Sequence, residues 1–257
     1  MRPLRLRARP WQGLLLLFVL LAALEPLGRF GFVDTRLFPL PSQVLAKLAE
    51  LLATESFLQH LRASLARLLP AMGIATSAAL GLVILSALSR KLHVFSEALA
   101  GMIYPLPKSA IFPFFLLVFG TDGKGHVALI ALGCLSTMLA TLLQGLHRLE
   151  TQGLFSLARQ LQLTRRTLVA RVLLPGLVPE LIQALKLSLS YALVLVVVVE
   201  MILTDQGIGV HLWLSWDAFR ILDLYAGLAL ICLWGLVVFA LSDWLAARLS
   251  FFQGTLK

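Results

Sequence analysis

Five runs of about 20–25 residues are predominantly apolar, each long enough to cross a hydrocarbon core of about 30 Å as a helix. They cover roughly residues 65–88, 95–119, 127–146, 179–203 and 224–247. A sixth, Trp11–Leu24, follows a basic head carrying Arg2, Arg5, Arg7 and Arg9. Runs of this length leave little choice of fold. Hydrophobic residues make up 59% of the 257 and charged ones 14%, against about 45–50% and about 25% in soluble domains. A soluble enzyme of this size could not cover so much apolar surface, and a disordered chain would carry far less of it. The fold class expected is all-α: a polytopic membrane protein with about six transmembrane helices. The β-branched run 193–199 would read as a buried strand in water. In lipid only helices and closed barrels satisfy the backbone, and no ten-residue alternation supports a barrel.

The net charge of +9 is read from topology rather than from nucleic acid, because cytoplasmic loops collect Lys and Arg. With the N-terminus inside and six spans, cytoplasmic segments hold 13 Lys and Arg and external ones hold 7. The external ones are interleaved with acids, among them Glu25, Asp34, Glu50, Glu55 and Asp205. Both termini are therefore expected in the cytoplasm. The basic head and short apolar run also fit a signal peptide. The cleavage pattern is weak, and an uncleaved first span is favoured. In the external stretch 25–64, Ser42 is expected to cap a helix whose Val44, Leu45, Leu48, Leu51 and Leu52 share one face. Cys134 and Cys232 both lie in apolar runs, and His60, His93, His126, His147 and His211 show no ligand spacing. Neither a disulfide framework, nor a metal site, nor catalytic chemistry is expected, and no cofactor is implied.

The most informative segment is the loop 147–175, with five arginines and one acid, Glu150. Two short helices fit, about 154–162 and 165–172, with Thr164 capping the second and Pro175 ending it. In the first, Leu154, Leu157, Ala158 and Leu161 form an apolar stripe that a solvated loop would not need. Either the stripe docks on a cytoplasmic protein, or the helices lie in the lipid headgroups with their arginines on anionic lipid.

Within this loop the chain resembles the permease subunits of bacterial ABC importers, in the branch that carries nitrate, sulfonates, taurine and bicarbonate. Ala158, Val172, Leu174 and Pro175 occupy positions of that family's loop signature. Further matches are Leu40-Pro41-Ser42, His60, Ser64-Leu65, Arg67, Tyr104-Pro105-Leu106-Pro107, Phe119-Gly120, Pro179, Leu185-Lys186-Leu187, Val199-Glu200-Met201 and Gly207-Ile208-Gly209. The similarity spans about residues 38–250. Gln162 stands where the family has glycine, and Ser156 where it has an acid or alanine. Residues 120–125, Gly-Thr-Asp-Gly-Lys-Gly, also depart from its usual glycine spacing. Glutamine enters positive φ only at a cost, so the turn between the two helices is expected to differ.

The resemblance implies a type I importer permease fold in a single domain, 1–257. Residues 1–64 would form an N-terminal span and external amphipathic segment, and 65–250 a core containing the coupling loop 147–175. It implies a second permease copy, identical or similar, two cytoplasmic ABC ATPase subunits and a periplasmic or lipoprotein solute-binding protein, in the bacterial inner membrane. Ser156, Leu157, Ala158, Leu161, Gln162, Val172, Leu174 and Pro175 would carry the ATPase coupling. No G-x-x-x-x-G-K-[ST] phosphate loop occurs, so ATP hydrolysis belongs to a partner and this chain is not itself an enzyme.

Ionisable and helix-breaking residues at membrane depth are pathway candidates. Lys186 sits about 10 Å into the fifth span and either faces an anion or snorkels to the surface. Glu200 lies about 21 Å further along and is expected to hold the external Gly207-Ile208-Gly209 turn or to gate. Pro105 and Pro107 break the third span beside Lys108, which marks either a solute pathway or a packing kink. Two other functions fit the same spans: a secondary transporter or channel acting alone, and a membrane scaffold recruiting a cytoplasmic partner.

Overall fold

In the computed structural model, residues 19, 22–120, 123–202 and 204–253 are described. The first predicted span, Trp11–Leu24, lies outside them except for residues 19 and 22–24. No strand occurs among the described residues. The chain runs through α1 (Pro41–Leu52), α2 (Glu55–Leu88), α3 (Arg90–Ile103), α4 (Phe112–Phe119), α5 (Lys124–Thr151) and α6 (Leu154–Gln160). There follow α7 (Arg165–Glu200), α8 (Ile208–Asp217) and α9 (Ile221–Gln253), and residues 22–29 are helical as well. Among the described residues, four helices are long and apolar enough to cross a membrane: α2, α5, α7 and α9. The predicted third span is two shorter helices, α3 and α4, joined by the turn 104–111. Pro105 and Pro107 lack the N–H groups a continuous helix would need there.

Two compact units emerge. The first comprises Met1–Leu58 with His211–Leu230. Ser42 does not cap α1, as the sequence led us to expect, because Pro41 already starts the helix and Leu40 is the cap residue. The Leu40 N–H donates to Gln43 Oε1 at 3.1 Å. Ser42 instead gives its hydroxyl (2.7 Å) and its N–H (3.2 Å) to the Glu25 carboxylate. With Arg29 this holds the Glu25 carboxyl below the ordinary carboxylate range. A lowered folded-state pKa stabilises above the unfolded value, and that contribution is lost as pH falls. Lys47 bridges Glu50 and Asp223, and those two carboxylates raise its pKa. Phe57 meets His211 edge-on at 4.9 Å between centroids.

The second unit comprises Gln59–Val210 with Ile231–Lys257. Its centre is α5, whose most apolar stretch is 67% buried, against 12% for α9. A helix buried all round belongs in a core, and one apolar but uncovered is left for lipid or another chain. Leu129, Ile130, Met138, Leu139, Leu142 and Leu146 are fully buried. α5 packs on α3, α4, α6 and above all on α7. Lipid tails are as apolar as leucine, so close packing and polar contacts must hold spans together. Both occur here. A Cβ on Gly145 would lie 2.6 Å from Glu180 Cγ, so glycine is what lets α7 come this near. Ser188 Oγ donates to the Cys134 carbonyl at 3.3 Å, and Cys134 Sγ–H to the Ser188 carbonyl at 3.7 Å.

Candidate functional site

The segment joining α5 to α7 is a helical hairpin, and its turn is built by hydrogen bonds. The Leu163 N–H donates to the Ala158 carbonyl and the Gln162 N–H to the Arg159 carbonyl, both at 3.0 Å. That pairing is the Schellman end of a helix, which places its C′ residue in the left-handed region. The C′ residue is Gln162, with φ +51°. The expectation of a different turn is therefore corrected: glutamine takes the conformation that glycine would take, because the two hydrogen bonds fix it. Gln162→Gly should raise the thermal unfolding midpoint, by up to about 1 kcal/mol of relieved strain. An unfolding curve in detergent checks this, and a lowered midpoint would contradict it.

Thr164 Oγ1 accepts from the Thr167 N–H at 3.3 Å and opens α7. Pro175 does not end the second helix. Residues Val169–Leu173 form a single π-type turn and the helix continues to Glu200. Proline leaves one carbonyl without a donor and crowds the preceding turn, and a π-turn absorbs both by widening the helix just before it. The second hairpin helix is thus rigidly continuous with the fifth span.

The structure divides the apolar stripe of the hairpin. Ala158 is buried, and Leu154 with Phe155 packs on the core. Leu157 is 50% exposed and Leu161 62% exposed. Ser156 and Gln162 are exposed beside them, as are Arg159, Arg165, Arg166 and Arg171. Ser156 Oγ donates to the Gly153 carbonyl at 2.6 Å. Val172 lies within the π-turn, while Leu174 and Pro175 are exposed on the first turns after it. The hairpin thus exposes two leucines and four arginines.

Its base is clasped by an ion pair that the sequence reading missed. Arg148 on α5 donates from Nε to Glu180 Oε1 (2.7 Å) and from Nη2 to Glu180 Oε2 (2.9 Å). The same Nη2 reaches the Gly176 carbonyl at 2.8 Å. A two-pronged guanidinium–carboxylate contact fixes orientation as well as distance.

The membrane-depth candidates fall in three places. Lys186 is paired with Asp243 of α9 and lies over the Phe239 ring, 4.5 Å from its centroid. Lys108 is 4% exposed and donates to the Tyr104 carbonyl at 2.6 Å. Pro105 lines a cavity between α3, α5 and α7, and Pro107 lies in the turn beside it. Glu200 is fully buried. It accepts from Ser64 Oγ (2.8 Å), Arg67 Nη1 (2.8 Å) and the Gly209 N–H (3.0 Å). Arg67 also reaches the Gln206 carbonyl, the Ile208 N–H donates to Ser64 Oγ, and the Gly207 N–H donates to His60 Nδ1. The 206–209 turn is thereby tied to α2 and to the end of α7. Lys186, Lys108 and Glu200 do not share one site.

Residues 40–251 match the family of binding-protein-dependent transport system inner membrane components. The chain belongs to this family. It is 30% identical over 210 residues to a putative aliphatic sulfonates transport permease protein, SsuC, of Bacillus subtilis (strain 168), covering 81% of this chain and 75% of that one. Against the SsuC protein of Escherichia coli (strain K12) the identity is 28%, over 79% of this chain and 76% of the relative. The taurine transport system permease protein TauC of the same organism is 26% identical, over 75% and 72%. As a transport-system inner membrane component, the chain is a multi-pass all-α permease, and the long apolar helices are its membrane-spanning parts.

Proposed function

We propose that this chain is the membrane subunit of an ATP-driven importer for a small anion of the sulfonate, taurine or nitrate kind. A separate cytoplasmic ATPase supplies the energy, and the two subunits meet at the hairpin 154–175. The whole chain acts as one permease subunit in the bacterial inner membrane, with both termini in the cytoplasm and a second permease copy beside it. A solute-binding protein delivers cargo from outside. The observation that carries this reading is the exposed pair Leu157 and Leu161 on a hairpin whose second helix runs on unbroken into α7. Exposed apolar side chains on a segment that also exposes four arginines suit a groove with an apolar floor and acidic edges. ATP-driven closure of the ATPase pair would carry the hairpin with it, and α5 and α7 would follow as rigid bodies.

The experiment is co-purification of the ATPase with tagged variants. Ala158 is buried and would report on folding, so the informative substitutions are Leu157→Asp and Leu161→Asp. Placing a carboxylate in an apolar contact should weaken association by about 2–4 kcal/mol, enough to lose the ATPase from the complex on a column. Full retention in the double variant would count decisively against docking at this surface.

A further inference from the structure

On α5, Thr137, Thr141, Gln144 and Arg148 fall within about 60° of one another around the helix. On α7, Glu180, Gln183 and Leu187 do the same. Arg148 and Glu180 close this seam at one end. One turn further along, Gln144 and Gln183 are exposed, and neither amide makes a hydrogen bond among the described residues. Both line a cavity of about 710 Å³ with Tyr104, Thr137 and Thr141, within the usual size of small-molecule sites. Two unpaired amides in the apolar part of spans are costly against lipid, so they face a water-filled path or another chain.

The lining points to an anion. The amides and the Thr137 hydroxyl are uncharged donors, and no carboxylate is among the described residues that line the cavity. Just behind the rim, Lys108 donates to the Tyr104 carbonyl, with no carboxylate partner among the described residues. Its ammonium biases the field without entering the cavity. Neutral donors hold an oxyanion strongly enough to admit it and weakly enough to release it. Ala140 and Leu187 supply an apolar wall for a short tail.

We propose that this cavity is the solute site within the membrane, where the Gln144 and Gln183 amides grip the oxyanion head of a small organosulfonate. The proposal rests on the transport reading given above, and its test separates the two. The complete transporter, with its ATPase and binding protein, is reconstituted in vesicles and assayed for ATP-driven uptake of ethanesulfonate. Losing one hydrogen bond to a charged ligand should lower uptake about ten- to hundredfold in Gln144→Leu and in Gln183→Leu. Gln144→Glu, which sets like charge against the anion, should be at least as poor. Wild-type uptake matched by both leucine variants would overturn the site and leave the transport reading standing. Absence of wild-type uptake with ethanesulfonate, taurine and nitrate alike would strike the transport reading instead. The site is then decided directly. On a Cys232→Ser background, which removes the exposed thiol, Gln144→Cys should react with a water-soluble thiosulfonate reagent. Ethanesulfonate should slow that reaction and choline should not. Failure to label, or no protection by ethanesulfonate, overturns the proposal.

Discussion

Replacing Glu200 by alanine is expected to cost about 3–5 kcal/mol of stability, the usual loss when one member of a buried ion pair is removed. Its carboxylate is fully buried and receives three donors, and Arg67, whose side chain is only 17% exposed, would keep its charge without its partner. The loss should not stay local. Ser64 and Arg67 each also hold the 206–209 turn, so removing the acid loosens the join between α2, α7 and that turn. Glu200→Gln keeps the shape and one acceptor, and should cost less, about 1–3 kcal/mol. Thermal unfolding in detergent with far-ultraviolet dichroism reads both. A midpoint in Glu200→Ala equal to that of the wild type would show that burial of the pair brings no net gain.

The second large effect is expected at Arg148 and Glu180. Their contact joins the two spans that flank the hairpin, at the point where the hairpin leaves them. Movement of the hairpin reaches the spans faithfully only if α5 and α7 stay together there. Removing a charge-assisted, two-pronged contact is worth about 1.5–3 kcal/mol. Arg148 is 39% exposed, so solvent screening sets the lower part of that range. Expressed as turnover this is about a tenfold loss of solute uptake. Arg148→Ala and Glu180→Ala should each retain the ATPase while transport falls. The exchanged pair Arg148→Glu with Glu180→Arg should recover a part of it. Comparing uptake per ATP hydrolysed in the four proteins separates a clasp from a mere packing contact: a clasp predicts recovery in the exchanged pair, whereas packing predicts none.

Hydropathy made the membrane class legible, and it located the helices that became α2, α5, α7 and α9. Each of those runs is an average over many residues and needs no knowledge of neighbours. The break at Pro105 and Pro107 was legible for a local reason too, since proline removes a donor wherever it stands. At Pro175 the same rule misled. The π-turn at Val169–Leu173 absorbs the ring, and only the three-dimensional path of the chain reveals that escape. Gln162 misled in the same way. Its side chain argues against positive φ, yet two backbone hydrogen bonds set the angle.

Most pairing was beyond the sequence. The contact of Glu200 with the nearby Gly209 turn was expected, but Arg148 counted as one more positive charge in a loop, Asp243 carried no signal at all, and the side-chain partners of Glu200, Ser64 and Arg67, lie more than 130 positions away. One clue was available: Thr137, Thr141, Gln144 and Arg148 recur at helical spacing along an otherwise apolar span. Composition and periodicity by themselves determined that this chain lives in a bilayer as helices, because burial of apolar length is a property of each segment alone. The tertiary structure decided which charges neutralise one another, which leucines of the hairpin remain outside and where unpaired amides converge. Those depend on distances between segments, which no local pattern encodes.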